Sequence, residues 1–134
     1  MSGNAKLSDV LPPWEVLEPI DADWLHRYAA ASGDDNPLHT DAAVAQAAGF
    51  SGPIVPGMLL LGLCERAIRA WYVDAMLLRL AGRFLHPVVI PARLVVSGRV
   101  AQVAGDVVVL RMFIGTAGAA PACVADAKLN LRIV

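Results

Sequence analysis

This chain is poor in charge. Charged residues make up 17% of its 134 positions, eleven basic against twelve acidic, for a net charge of −1. No basic block and no Lys/Arg run interleaved with aromatics is present to grip a polyanion, so no nucleic acid partner is expected. Cysteine is nearly missing as well. Cys64 and Cys123 each sit inside an apolar run without metal-ligand spacing, so they read as reduced core residues, and no metal is expected. The apolar stretch from Ile54 to Cys64 is interrupted by Glu65, Arg66 and Arg69 before it could span a bilayer, and no membrane contact is expected. Residues 1–9 lack the charged-then-apolar layout of a secretory signal, which sets the expectation of a cytoplasmic location.

What the chain does have is apolar mass. Hydrophobic residues reach 57%, above the roughly 45–50% of ordinary soluble domains, and such an excess points to apolar surface hidden between subunits. The length suits one domain with a sizeable core and is short for two. No internal repeat or low-complexity linker divides it, so a single domain over residues 1–134 is expected.

Asp21 is a plausible N-cap, and Trp24, Leu25 and Tyr28 follow at helical spacing, predicting a helix to about Ala31 that Ser32 and Gly33 stop. Asp41 is placed to cap a second short helix through Ala48, ended by Gly49. Residues 32–40 then form a loop anchored at both ends. Pro56 suits the first turn of a third helix running on to Trp71, apolar all round in its first half and therefore expected to be buried there. Glu65 and Arg69 stand at i,i+4 and can pair. Beyond Asp74 the pattern turns to strands over 95–103, 107–114 and 123–134, with turns at Gly105-Asp106 and Thr116-Ala117-Gly118. In the last, Ala127, Leu129, Leu131 and Ile133 alternate with Asp126, Lys128, Asn130 and Arg132, a sheet with one buried face. Residues 76–85 are ambiguous, because Leu77, Leu78 and Leu80 favour helix as much as strand. The sum is an α+β domain, an antiparallel sheet with a long helix packed across it.

Chemistry concentrates in Ser32-Gly33-Asp34-Asp35-Asn36-Pro37-Leu38-His39 and in the Pro56-Gly57-Met58 opening of the third helix. A carboxylate and an imidazole lie five positions apart on one short loop, just before a helix N-terminus whose free N–H groups can receive negative charge. Each residue alone is also an ordinary turn former. His86 reads as structural or rim-exposed, and His26, beside Arg27, as solvated.

The run from Ser32 to Asp41 resembles the Ser-Gly-Asp-x-Asn-Pro-Leu-His-x-Asp signature of the MaoC-like (R)-specific enoyl-CoA hydratases, and the spacing to Gly57-Met58 fits as well. The resemblance implies a hotdog fold, in which the antiparallel sheet wraps a long central helix. It implies reversible hydration of trans-2-enoyl thioesters to (R)-3-hydroxyacyl thioesters, with Asp34 and His39 as the catalytic pair holding the water. Asn36 is then an amide holding the loop or the water, or simply a turn residue. Gly57 is an oxyanion donor whose missing side chain lets substrate approach, or a concession to helix packing against a strand. No cofactor is implied. The partners implied are an acyl-CoA or acyl carrier protein thioester and a second copy of the chain in a homodimer.

Two departures stand out. The family commonly has His before Gly-Met where this chain has Pro56, and a small hydroxyl residue where it has Gly62. Pro56-Gly57 also resembles the acyl carrier protein dehydratases of the same fold, but their helix glutamate is replaced by Gly62, and Glu65 falls about 300° further round at roughly 100° per residue. A thioesterase, or a non-catalytic subunit of a heterodimeric hotdog dehydratase, are the alternatives the residues leave open.

Overall fold

The computed structural model describes residues 5–132. Strand β1 (Val10–Glu15) is followed by helix α1 (Ala22–Ser32), a single 3-10 turn (Pro37–His39), α2 (Ala42–Ala47) and α3 (Gly57–Trp71). Then come β2 (Met76–Phe84), β3 (Leu94–Ala104), β4 (Val107–Thr116) and β5 (Cys123–Asn130). The strands form one sheet in the order β1-β3-β4-β5-β2, antiparallel throughout. Helix α3 lies against every strand of it. This is the hotdog arrangement.

The inward face of the sheet explains the strands. Val96, Val100, Val108, Leu110, Met112, Ile114, Ala127 and Leu129 alternate inward and are buried against Leu60, Leu63, Cys64, Ala67 and Ile68 of α3. On the opposite face Arg111 pairs with Asp126 at 3.1 Å, a solvated cross-strand contact. Trp71 ties the far end of α3 to β1, its indole N–H donating to the Pro12 carbonyl at 2.7 Å.

Several expectations need correction. The sequence reading placed no element before Asp21; β1 forms there at the sheet edge, where the N–H groups that Pro12 and Pro13 lack cost least. Residues 76–84 resolve as an edge strand. Its register shifts between Leu77 and Arg79, which puts Leu77 and Leu80 on one side and erases the two-residue period. The last strand stops at Asn130, where both its neighbours end, and Ile133 and Val134 lie outside the described residues. The first half of α3 is not buried all round: Met58 is 63% exposed and Gly62 is exposed, so a stripe of the helix is left uncovered by its own chain.

Candidate active site

Alternate residues build the loop after α1. The Ser32 hydroxyl accepts the Asp34 N–H at 3.1 Å, Asp34 Oδ1 accepts the Asn36 N–H at 3.3 Å, and Asn36 Oδ1 accepts the Leu38 N–H at 3.0 Å. Short polar side chains bonding the backbone two residues on are what hold such a loop without helix or sheet. Gly33 starts it in the left-handed conformation (φ 78°) that caps α1, and Asp41 closes it by capping α2. The second oxygen of Asp34 is left for other work.

His39, at the end of the 3-10 turn, is held from the other side. Its Nδ1 lies 2.7 Å from the Ile54 carbonyl oxygen, while the Ile54 N–H donates to the Leu38 carbonyl at 3.1 Å. A ring nitrogen bonded to a carbonyl must carry the proton, so in the neutral ring Nε2 is the bare nitrogen. Nε2 faces Asp34 Oδ2 at 3.7 Å, with the imidazole 12% exposed and the carboxylate 41%. An ionised carboxylate and a bare nitrogen are both acceptors and cannot bond each other. A water about 2.8 Å from each would donate one proton to each and satisfy both.

His39 and Gly57 share a cavity of about 310 Å³, walled by Ile54, Val55, Leu60, Phe84 and Leu85 with His86 and Pro87. At its edge α3 begins on Pro56, which has no side-chain cap to offer, so the first N–H groups of the helix are unclaimed by it. Asp34 is not part of this wall and reaches His39 from the loop. Asn36 is exposed, its side-chain oxygen committed to Leu38. His86 is exposed and lines the same cavity as His39. Tyr28 on α1 also neighbours the loop: burial raises its hydroxyl pKa above the ordinary value and the Asp34 charge raises it further.

Neither Phe84 nor the Ile54 carbonyl was singled out by the sequence reading. For Ile54 the only signal is the Gly52-Pro53 turn before it. For Phe84 none exists in the spacing. A second cavity, about 700 Å³, lies elsewhere, between Trp14, Trp24, Arg27 and Arg66 with Glu15 and Glu18 at its wall.

Comparison with known proteins places this geometry. Residues 13–110 match the model of the MaoC like domain. The chain is 38% identical over 82 residues to 3-hydroxyacyl-thioester dehydratase X of Mycobacterium tuberculosis, a match covering 61% of this chain and 29% of that protein. It thus spans under a third of that relative's length. Among solved structures, the (R)-hydratase from A. caviae superposes with a TM-score of 0.87 at 25% identity, over 98% of this chain and 100% of that one. The ChsH1-ChsH2 complex from Mycobacterium tuberculosis shares the fold, with a TM-score of 0.85 at 21% identity over 95% and 98% of the two chains. With residues 13–110, most of its length, matched by that family's model, the chain belongs to the MaoC like domain family.

Proposed function

We infer that the chain hydrates trans-2-enoyl thioesters to (R)-3-hydroxyacyl thioesters and catalyses the reverse dehydration. The observation that carries this is the pair of acceptors, His39 Nε2 and Asp34 Oδ2, set 3.7 Å apart beside a helix N-terminus. Water held between them gives a proton to Nε2 as its oxygen bonds C3 of the enoyl group. The electron pair of the double bond moves toward the thioester oxygen, where the N–H groups around Gly57 receive the charge. The imidazolium, still bonded to Ile54 through Nδ1 and faced by the Asp34 carboxylate, returns the proton to C2. One water is added and no redox change occurs. The (R) outcome and the thioester substrate draw on the similarity to the A. caviae hydratase and to the Mycobacterium dehydratase. A cytoplasmic site of action goes with the same reading, and fractionation of cells making the tagged chain tests it.

Incubation with crotonyl-CoA is the test: loss of enoyl absorbance with (R)-3-hydroxybutyryl-CoA as product supports it. Release of free thiol from butyryl-CoA instead supports a thioesterase.

The second copy has a place to dock. Met58 and Gly62 on α3, and Met76 and Leu78 on the edge strand β2, are exposed, and we assign this surface to a homodimer. A related but different chain is the second reading, favoured by Gly62, whose missing side chain faces nothing within 4 Å of its own chain. Sedimentation of the purified protein separates them. A dimer that hydrates crotonyl-CoA unaided removes the heterodimer, and an inert monomer removes the homodimer.

A further inference from the structure

Helix α3 and strand β2 exchange side chains for glycines. A Cβ built on Gly82 of β2 would stand 2.5 Å from the Leu61 side chain of α3. In the opposite direction, a Cβ built on Gly57 of α3 would stand 2.8–2.9 Å from three ring atoms of Phe84, the last residue of β2. Each element offers one hole and fills the other's. The two contacts differ in what surrounds them. Leu61, partly buried, reaches over the exposed Gly82 beside the buried Cys123, whose sulfur would lie 3.2 Å from the same Cβ, so that contact sits on the margin of the core. Phe84 is 49% exposed, and only the far end of its ring meets Gly57.

A side chain at 57 would therefore have to push aside the ring of Phe84, a partner within the chain itself. The ring occupies the approach to the first turn of α3, where the unclaimed N–H groups begin, and it lines the cavity of His39. Two of the other apolar walls are held in the core, Val55 and Leu60 at 5% and 3% exposure, with the Val55 N–H bonded to the Val88 carbonyl, while Leu85 beside Phe84 is 43% exposed. Phe84 is the aromatic wall, it is half open to solvent, and it stands where an acyl thioester must pass to reach the helix.

The geometry points to Phe84 as the residue that sets which acyl groups enter, by limiting the width of the cavity at Gly57. This rests on the thioester reading of the site. Width in an apolar pocket discriminates by one or a few methylenes' worth of contact, about tenfold or more in relative affinity or kcat/KM. Replacing the ring with a smaller apolar group relaxes that limit in favour of longer chains.

The test measures binding of butyryl-CoA and octanoyl-CoA to the wild-type protein, Phe84→Leu and Phe84→Ala by calorimetry, together with hydration of the matching enoyl-CoAs. The expected result is an octanoyl-to-butyryl affinity ratio raised by about tenfold in Phe84→Ala, with Phe84→Leu between. An unchanged ratio, or no binding of either thioester by any of the three proteins, overturns the inference. Failure of the wild type to hydrate any enoyl-CoA sinks the hydratase reading, while the binding ratio still decides on Phe84. Melting temperatures of Gly57→Ala, Phe84→Ala and the double variant give a second readout. Gly57→Ala must cost more stability when the ring is present than when it is absent, and strictly additive effects overturn the contact's role.

Discussion

Of the two cavities described above, the larger holds more charge and more aromatic surface, yet the smaller one holds the imidazole proposed to do the chemistry. In the groove of about 700 Å³, the Arg27 guanidinium lies 5.3 Å from the Trp24 ring centre and is also bonded to Asp23. Arg66 lies 5.8 Å from the Trp14 ring centre. These cations are already occupied by indole faces and a carboxylate. Trp24 Nε1 is buried without a partner, but an unpaired N–H donor is a cost to stability and moves no proton. In the cavity of about 310 Å³ the polar groups are few, but His39 Nε2 and the first N–H groups of α3 are unclaimed. A reactive place is marked by what its groups still lack, and volume is a poor guide to it.

The sharpest way to break this contrast is to remove the pair at the small cavity. His39→Gln and Asp34→Asn should each lower turnover of crotonyl-CoA by at least about 10²-fold with the melting temperature little changed. Near-normal rates in either would move the chemistry elsewhere. Asn36→Ala comes next: losing the bond to the Leu38 N–H should cost about 1 kcal/mol by chemical denaturation and loosen the turn that presents His39. Unchanged stability would mean the turn holds itself.

Cys64 lies on α3 in the core, and burial lifts its thiol pKa to about 12 from an ordinary value of 9.0. The folded chain therefore keeps a proton that the unfolded chain gives up above pH 9. Stability is complete below that value and falls as pH rises toward 12, so melting temperatures measured across this window should decline, with a shallower slope in Cys64→Ala. The smallest effect belongs to the groove. Arg66→Ala should leave kcat/KM within about twofold, and a loss comparable to that of His39→Gln would invert the comparison.

Legibility in the sequence followed the range of the forces. The ends of α1 and α2 were readable because Asp21 and Asp41 cap them within three residues. Strands β3, β4 and β5 were readable because their alternation is unbroken over most of their length. The Asp34 side of its approach to His39 is shaped by bonds two residues long that a loop motif carries, whereas the imidazole is fixed by the Ile54 carbonyl fifteen residues on, which the motif does not reveal. Strand β2 was ambiguous because its register shift scrambles the pattern, and β1 was missed because prolines ordinarily argue against strands. The contact of Phe84 with Gly57 spans the length of α3 and β2 together. The sequence left Gly57 as either an opening for substrate or a concession to packing against a strand, and it could not name Phe84 as the side chain that lies there.

The two borders of the sheet have unlike fates. Along β1, Pro12 and Pro13 and a break in register between Leu11 and Trp14 spoil any further ladder. Along β2, nine residues run without a proline. In the proposed homodimer, a twin laid antiparallel along that open border would leave only barred borders outward, so addition would halt after a single step and a molecule with a sticky rim would be spared from growing into a fibre.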